Sequence, residues 1–509
     1  MERKVGNNIY IYDVTSYWDS VSQKTKKRSV YIGKKDNKTG EVHNAKKLLA
    51  KFADDFGARY FFKKILSELK IESLIKKHFP DSFEEIIEII LFQNIESKPS
   101  YLMEYSYSDD ISSSKFSSQN MSRLFNYLGK NETKVNSFLK DWIDINKIQN
   151  SLFYDITSIS SYSRYCELVE WGHNRDCEQL PQVNFGILFG NTSKLPLLYK
   201  IYSGSISDVT TLKNLHQQME IYGFKKFVFC LDRGFYSASN LSQIYLDDFD
   251  IIIPMPFSTT ISNDLSDEKI VDLENMININ GNTLFYKCFE IKIGGKKYFA
   301  NVYLNESRKL RELNRFSKEI SLIEKKFAKE KFDKEEYAKE LIHKEGGKYK
   351  KYFKISKDSD FYKITKNTDE MQKLVNKMGK VILITKNKPD SKEYAINSYL
   401  YRDEVEKVFD VMKNEINENR LRVSSADSVH GRLFITFIVL ICMSFMTKIM
   451  KEKKLFNKLS INEVISELKK LKIITMHEGT KILCELTKKQ KDIFLGFKIP
   501  YPDLSKPGM

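Results

Sequence analysis

The sequence predicts an α/β fold whose core is interrupted by a β-rich and helical insertion and preceded by a small β unit and a helical domain. Three observations support this fold class. Apolar strands and helical stretches alternate over residues 148–256, the alternation stops over residues 257–390, and a long helix follows within residues 391–450. With 509 residues, 41% of them hydrophobic, the chain is long and apolar enough for several packed cores.

The N-terminal part changes its hydrophobic period once. Residues 8–45 alternate apolar and polar side chains, which is typical of a small antiparallel β unit, assigned to residues 1–50. Apolar residues then recur with helical spacing, so residues 51–147 are predicted to form a helical domain. Residues 117–129 open with cap-type residues and end at glycine, as the second helix of a helix-turn-helix does. An ordinary packed helix remains the alternative.

The rest of the chain divides by its apolar runs. In the first half of the core, residues 148–256, we expect strands at 152–157, 183–189, 195–202, 226–231 and 250–254, and helices near 208–222 and 237–247. The insertion, residues 257–390, is expected to hold a hairpin over 284–303 that turns at two glycines, a charged helical run over 308–351 and a strand over 381–385. The run is predicted to be a solvated helix or short coiled coil, with a basic arm on nucleic acid as the alternative. The second half of the core, residues 391–450, opens with a helix from about residue 399, and a mostly helical tail covers residues 451–509.

The charge balance points to a polyanionic partner. The chain has 83 Lys and Arg against 67 Asp and Glu, a formal net charge of +16. Its most apolar stretch, Leu433–Met446, is shorter than the roughly 20 residues that span a bilayer, so we expect a buried core helix and no membrane span. Nucleic acid is therefore favoured over lipid.

The cysteines and the N-terminus indicate an intracellular protein. None of the six cysteines forms a Cys-x2-Cys pair, and their spacing suits neither a disulfide framework nor a zinc site. We expect reduced, mostly buried thiols. The first residues lack the apolar segment of a secretory signal.

Two aspartates follow apolar residues in predicted core strands. Asp155 lies inside the strand 152–157, where a carboxylate is costly to bury unless it is paired or binds a metal. Asp232 ends the strand 226–231, and ligands of open α/β sheets gather beyond the carboxyl ends of strands. A strand-end role for Asp155 and a helix cap for Asp232 are the alternatives.

A third element has a more specific pattern. Tyr399, Arg402, Glu406 and Lys413 follow one another at spacings of three, four and seven residues. On an ideal helix, at about 100° per residue, they fall within an arc of about 60°. Such a helix would present one carboxylate among cationic and phenolic groups, whereas a surface helix with scattered charges is the alternative.

Three converging carboxylates favour a hard divalent cation. Oxygen ligands suit Mg²⁺ or Mn²⁺ better than zinc. Two ions about 3.5–4 Å apart could clamp the attacking and leaving oxygens of an in-line phosphoryl displacement. Arg402 and Lys413 could then hold phosphates, and Tyr399 could add a hydroxyl contact.

In these residues the chain resembles the DDE transposases of insertion sequences, in the group with a Tyr-x2-Arg-x3-Glu-x6-Lys helix. The resemblance rests on Tyr154-Asp155-Ile156-Thr157-Ser158, on Leu231-Asp232-Arg233-Gly234-Phe235-Tyr236 and on the helix over 399–413. The segments Gly172-His173-Asn174-Arg175-Asp176 and Tyr31-Ile32-Gly33-Lys34 are also similar to segments of the family.

The resemblance implies an RNase H-like catalytic core with an insertion between the second Asp and the Glu. It makes Asp155, Asp232 and Glu406 the catalytic, metal-binding acids, and Tyr399, Arg402 and Lys413 DNA-binding residues. It further implies Mg²⁺-dependent cleavage at transposon ends, joining of the 3′-hydroxyl ends to target DNA, and a helical DNA-binding domain over 51–147. The expected partners are double-stranded DNA with terminal inverted repeats and a second copy of the chain, in a bacterial cytoplasm beside the nucleoid.

Two other functions remain open. A transposase-derived DNA-binding protein without catalysis would bind but never cut, and a nuclease with the same core would cut without joining. Asp13 stands in a near-repeat of the first aspartate block, but it precedes the helical domain and is not expected to bind metal. His173 and His430 are expected to be structural or DNA-contacting residues, since two-metal chemistry needs no histidine base.

Overall fold

The structure is a computed structural model of the chain. It describes residues 1–6, 8–19, 24–36, 39–44, 50–106, 116–146, 151–176, 178–206, 222, 228–246, 250–328, 330–358, 361–416, 420–477 and 479–504. These residues divide into two units, the first formed by residues 1–61 with 459–509 and the second by residues 62–458.

The first unit begins with an antiparallel sheet of four strands in the order β1-β2-β3-β4, as the alternating pattern predicts. A β-bulge next to Ile11 and Tyr12 shifts the pairing of the two long strands by one residue. We call this element the N-terminal sheet. Its strands are β1 (Glu2–Val5), β2 (Asn8–Asp19), β3 (Lys24–Lys35) and β4 (Val42–Asn44).

The remainder of the first unit combines a second small sheet with two helices. The tail was predicted to be mostly helical, but it also contains two strands. Residues 472–476 alternate buried and half-buried side chains and pair with residues 50–55. Both helices begin with a capping box, at Ser460 and at Thr487. The elements are β5 (Ala50–Asp55), β18 (Lys472–Met476), β19 (Lys481–Leu483), α15 (Ile461–Lys469) and α16 (Lys488–Gly496).

Helices predicted from the 3.6-residue period form one side of the second unit. Several of them pack against one long apolar helix, in which nearly every residue from 428 to 446 is buried. The helices are α1 (Gly57–Glu68), which crosses the boundary between the units, α2 (Ile71–His78), α3 (Phe83–Glu96), α4 (Met103–Ser106), α5 (Ser118–Lys130), α6 (Glu132–Ile145) and the long α14 (Ala426–Glu452).

The crossing of α5 and α14 is unusually close. A Cβ atom added to Gly129 would lie 2.0 Å from the Asp427 carbonyl oxygen, and one added to Gly431 would lie 2.0 Å from that of Phe125. Met121, Phe125 and Leu128 bury the apolar side of α5. This packing agrees with an ordinary packed helix over residues 117–129.

The long helix α14 confirms the expected buried core helix. It is 27 residues long, so by length and composition it could cross a membrane, but 83% of its most apolar stretch is buried within the structure. The cysteines that the structure describes are all free thiols, and Cys166, Cys230 and Cys442 among them are buried.

A mixed ten-stranded sheet forms the other side of the second unit. Its order is β11-β12-β13-β16-β10-β9-β6-β7-β8, with β17 beside β6. β6, β9 and β10 are parallel neighbours, and the other pairs along this order are antiparallel. We call it the central sheet. It contains β6 (Ser151–Ser161), β7 (Gln182–Gly190), β8 (Leu195–Ser203), β9 (Val228–Leu231), β10 (Asp250–Pro254), β11 (Met276–Ile279), β12 (Asn282–Ile293), β13 (Lys296–Asn305), β16 (Lys380–Thr385) and β17 (Arg420–Leu421).

The strands expected in residues 148–256 are all present in the central sheet, and the helix expected near 237–247 is α7 (Ala238–Leu246). The helix expected near 208–222 lies outside the described residues, apart from Tyr222. The predicted hairpin over 284–303 and the strand over 381–385 are confirmed as β12–β13 and β16. Because β13 pairs with β16 and β16 with β10, residues 257–390 extend the central sheet.

The charged run is two helices and not one. They are separated near residues 328–334 and share a local apolar cluster with Phe316, Ile320 and Phe353. The cluster explains why the run is folded despite its charge, because each helix buries one stripe. The elements of this part of the chain are α8 (Thr260–Asp267), α9 (Glu306–Phe327), α10 (Glu335–Gly346), β14 (Phe353–Asp358), β15 (Phe361–Lys366) and α11 (Thr368–Lys377).

Candidate active site

The parallel pairing of β6 and β9 brings the two aspartates together. Tyr154 pairs with Leu231, so Asp155 and Asp232 follow at neighbouring positions of adjacent strands. Asp155 lies within β6 and accepts a 2.8 Å hydrogen bond from the Ile156 backbone N–H. Asp232 comes directly after β9 in extended backbone, before a single 3₁₀ turn.

Arg402 joins the second aspartate to the glutamate. Its two terminal nitrogens donate separately, one to Asp232 Oδ1 and the other to Glu406 Oε1. The guanidinium carbon lies 5.4 Å from the centre of the Tyr399 ring. The planar fork of arginine suits such a bridge, because its donors point in fixed directions. Four of the other five predicted site residues therefore lie around the Arg402 guanidinium, with Asp155 close enough for Arg402 to act on its charge.

The single ideal helix predicted from residue 399 is wrong. The segment consists of α12 (Tyr394–Leu400) and α13 (Asp403–Asp410), followed by a π turn over Val411–Glu415. At the junction, Arg402 N–H donates to the Tyr399 carbonyl at 3.0 Å, an i to i−3 bond that tightens the turn. The Ile416 N–H reaches back to the Val411 carbonyl at 3.0 Å, which widens the next turn. A uniform 100° step per residue therefore does not describe this segment.

Lys413 is the predicted site residue that the structure places apart from the Arg402 bridge. It lies in the π turn and donates to both carboxylate oxygens of Asp176, at 2.7 and 2.6 Å. Asp176 belongs to the loop that follows β6, so this ion pair ties the glutamate-bearing segment to that loop. Sequence reasoning missed the role of Asp176, although the Gly172–Asp176 segment carried part of the resemblance.

Burial and neighbouring charge shift the titration of Asp155. Burial, aided by the charge of Asp232, raises the pKa of Asp155 to about 7, against the opposing effect of the Ile156 hydrogen bond and the cations of Arg402 and Arg175. Burial likewise raises the pKa of Tyr399, so its hydroxyl stays protonated at neutral pH. The positive charge around Asp155 is thus too small to keep its carboxyl group fully ionised at neutral pH.

A buried polar network supports the strand that carries Asp155. Ser158 and Ser160 of β6 are buried, and the Ser158 hydroxyl accepts from the Arg175 backbone N–H at 3.4 Å. Ser160 donates to Glu178 at 2.5 Å, and Arg420 donates to both Glu178 oxygens at 2.6 Å. The Arg420 and Ser160 hydrogen bonds hold the pKa of Glu178 below its usual value. The only signal for this network in the sequence is the polar end of an otherwise apolar strand.

The oxygen atoms of Asp155, Asp232 and Glu406 suit a hard cation, but their present arrangement does not form a cation site. The three acids offer oxygen atoms alone, and the raised pKa of Asp155 shows that added positive charge would stabilise its ionised form. Among the described residues, however, no three His, Cys, Asp or Glu side chains form a ready cation site. Arg402 occupies the space between Asp232 and Glu406, so it would have to release both acids for them to bind an ion.

The other titratable residues considered from the sequence lie elsewhere in the fold. Asp13 is an exposed residue of β2 in the first unit. The backbone carbonyl of His173 accepts a 3.0 Å hydrogen bond from the Gln182 side chain. His430 is on α14, and burial lowers its pKa. None of the contacts described for these residues involves the Arg402 bridge.

Comparison with known proteins identifies a family and similarity to solved structures. None of the curated proteins matches the sequence. The chain is similar in structure to the piggyBac transposase in a synaptic complex with hairpin DNA, at 8% identity and a TM-score of 0.31. The similarity covers 66% of this chain and 57% of that one.

The family model of the transposase DDE domain matches residues 152–442, which begin one residue after the start of β6 and end inside α14. The matched range contains all three predicted acids and the two predicted DNA-binding cations, Arg402 and Lys413. The chain therefore belongs to the family of transposases with a DDE domain.

Proposed function

We propose that this protein is the DNA transposase of an insertion sequence. It binds terminal inverted repeats, cleaves at the transposon ends and joins the 3′-hydroxyl ends to target DNA. The observation that carries the proposal is the gathering of Asp155, Asp232 and Glu406 around Arg402 inside the matched DDE domain. Enzymes of this family cut and join DNA and generally use divalent metals.

The three acids are proposed to be both catalytic and metal-binding. Two Mg²⁺ or Mn²⁺ ions, when bound, would neutralise the charge that develops on the transferring phosphoryl group. Asp155 and Asp232 are held by adjacent strands of a buried sheet, whereas Glu406 is carried by α13. Strands and a packed helix hold such groups more rigidly than loops do, as metal-assisted chemistry requires.

Arg402, Tyr399 and Lys413 are proposed to contact DNA. The same guanidinium fork that binds two carboxylates here matches the oxygens of a phosphodiester. Tyr399 supplies a protonated hydroxyl beside it. Lys413 is paired with Asp176, so its contact with a phosphate would exchange one anion for another.

The architecture and partners follow from the same proposal. The first and second halves of the core, with β6, β9 and α13 as their functional elements, would form an RNase H-like fold interrupted by residues 257–390. Residues 51–147 would contribute DNA binding, beside an N-terminal β unit over 1–50 and a tail over 451–509. The partners are double-stranded DNA and a second copy of the chain, in a bacterial cytoplasm beside the nucleoid.

The test uses the full chain and a duplex that carries the inverted repeat read from the DNA flanking the gene. We expect Asp155→Asn, Asp232→Asn and Glu406→Gln each to lower strand cleavage and joining in Mg²⁺ by at least about 10³-fold, because each removes a ligand of the ions. Binding of the repeat should stay within about threefold. Asp410→Asn is the matched control, since Asp410 is an exposed acid on the same helix as Glu406.

The outcomes separate three functions. Full activity of any of the three acid variants would contradict the proposed triad. A wild-type protein that shifts the repeat but never nicks it in Mg²⁺ or Mn²⁺ would be a catalytically silent DNA-binding protein. Cleaved ends without joined product would indicate a nuclease.

A further inference from the structure

Among the residues that the structure describes, the strands of the N-terminal sheet bury very little of their surface. Among the described residues of its strands, only Gly33 is buried. The first buried apolar residue of the described chain is Ala58, which lies beyond this sheet. Large apolar side chains are open to water instead, with Tyr17 at 51%, Trp18 at 64% and Tyr31 at 40% exposure. Sheets are normally stabilised by burying one face, so such a sheet is built to be covered by something else.

Strand register places several aromatic rings and cations of this sheet on one face. Tyr12 pairs with Tyr31, Ser16 with Lys27 and Tyr10 with Lys34, while Arg3 pairs with Tyr10. Because side chains alternate along a strand, these residues share one face. The rings confirm it, since Tyr31 lies 5.8 Å from Tyr10 and 5.5 Å from Tyr12. We call this the aromatic-basic face, and it consists of Arg3, Tyr10, Tyr12, Trp18, Lys27, Tyr31 and Lys34.

The acids of these strands lie on the opposite face. Glu2 pairs with Ile11, and Asp13 is one position from Tyr12, so both alternate away from the aromatic-basic face. Glu2 forms a 3.0 Å ion pair there with Lys35. On the described strands β1 to β3 the aromatic-basic face thus carries three cations and no carboxylate, whereas Lys4, Lys24 and Lys35 lie with the acids on the opposite face.

We infer that the aromatic-basic face is a docking surface for the backbone of double-stranded DNA. The inference rests on the proposed function, because the substrate of a DNA transposase is a polyanion that matches this positive charge. Cations on the face would replace condensed counterions of the phosphates, and the open rings would cover sugar and base edges. Twelve-residue strands are about 40 Å long, slightly more than one helical turn of DNA at about 34–36 Å. A two-stranded β-ribbon also fits the width of the major groove.

A second copy of the chain is a poorer occupant of this face. In a symmetric dimer the same patch meets itself, so the face that carries Arg3, Lys27 and Lys34 would meet a face of the same charge. Like charges brought together out of water are destabilising, whereas phosphates reverse the sign of that interaction. Charge therefore selects DNA over self-association.

The experiment compares the two faces of the same sheet in the full chain. The variant Arg3→Gln/Lys27→Gln/Lys34→Gln removes three cations from the aromatic-basic face, and Lys4→Gln/Lys24→Gln/Lys35→Gln removes three from the opposite face. Binding of a random-sequence 25-base-pair duplex is measured by fluorescence anisotropy from low to moderate salt. We expect the first variant to bind at least about tenfold more weakly and to lose about two to three units of salt slope. The opposite-face variant should stay within about threefold of wild type.

Equal losses in the two variants would overturn the inference, and so would no loss in either. If the wild-type chain cleaves its terminal repeat while the two variants bind alike, the docking face is wrong and the proposed function stands. If the wild-type chain binds no duplex at all, the proposed function itself fails.

Acetylation of the unmodified wild-type chain gives a readout that does not depend on how the variants fold. Bound duplex should protect Lys27 and Lys34 several-fold more than Lys4 and Lys24, as quantified by mass spectrometry. Protection of Lys27 that rises with protein concentration in the absence of DNA, together with dimers in sedimentation, would identify a second copy as the occupant and contradict the inference.

Discussion

Strands β6 and β7 of the central sheet are almost entirely buried, whereas the N-terminal sheet is largely exposed. Every residue of β7 is buried, and of β6 all but Asp155 are. The N-terminal sheet buries one glycine among its described strand positions. Both sheets are rich in aromatic and β-branched residues, so composition does not separate them. The difference lies in charge, since β3 has six cations in twelve residues whereas β7 has none. The cations along β3 agree with the binding of a polyanion that we infer for this sheet.

The largest expected difference between the sheets concerns the loss of an aromatic ring. Phe185 of β7 is 0% exposed, so Phe185→Ala should lower the free energy of unfolding by about 3–5 kcal/mol through lost burial and a cavity. Trp18→Ala in the N-terminal sheet should cost less than about 1 kcal/mol, because its ring is already in water. Urea unfolding followed by circular dichroism measures both. Similar losses would mean that the N-terminal sheet is covered in the free chain.

A smaller difference is expected for glycines. Gly431→Ala would push a methyl group against the Phe125 carbonyl and force α5 and α14 apart, at a cost of about 1–3 kcal/mol. Gly6, in the turn between β1 and β2, has a φ of +58° and open space around its Cβ position. Gly6→Asn should therefore change stability by less than about 0.5 kcal/mol, since Asn tolerates that conformation. Thermal denaturation of the two variants compares them, and an unaffected Gly431→Ala would show that the helices separate freely.

The pH dependence of stability sharpens the comparison further. The pKa of Asp155 is raised to about 7 in the folded chain, so the folded state binds more protons than the unfolded state between about pH 4 and 7. Stability should fall as pH rises through this window, by about 2 kcal/mol after allowance for solvent screening. Asp155→Asn should abolish this component, whereas Asp13→Asn in the N-terminal sheet should retain it. Unfolding measured at metal-free pH 4.5 and 7.5 tests the sign, and a rise in the Asp155 component would reverse the assignment.

The smallest expected effect separates two ion pairs. Arg420 and Glu178 are partly buried and doubly bonded, so Arg420→Gln should cost about 1–2 kcal/mol and loosen the loop after β6. Lys35→Gln removes the more exposed pair with Glu2 and should cost no more than about 0.5 kcal/mol. Chemical denaturation gives both values, and limited proteolysis of residues 162–181 reports on the loop. Equal costs would show that burial does not distinguish the pairs.

Much of the fold follows from the sequence because strand and helix periods are local properties. The strands of residues 148–256 were predictable as short apolar runs bounded by turn residues, and the hairpin by its two glycines. The pairing of β13 with β16 was not, because 75 or more residues separate the partners and nothing local encodes the contact. The tail strand over 472–476 was missed for the same reason, since its partner is at residues 50–55.

The candidate site shows the same division. The sequence points to Asp155, Asp232 and Glu406 because each stands in a patterned segment, and their assignment as ligands stays a prediction. The two helical irregularities around Glu406 have no signal in the pattern, since tight and wide turns contain no proline or glycine at the positions concerned. A regular helix would place Lys413 on the same side as Arg402, and this was the prediction. In the structure Lys413 pairs with Asp176 instead. Partner choice by flexible charged side chains depends on tertiary distances that spacing along one helix does not give.

The Arg402 bridge holds two of the proposed catalytic acids, Asp232 and Glu406, by a group of the chain itself. Asp232 and Glu406 would repel each other if they met without a counter-charge, and Arg402 provides that charge from within the chain. A chelator should accordingly silence such an enzyme without unfolding it.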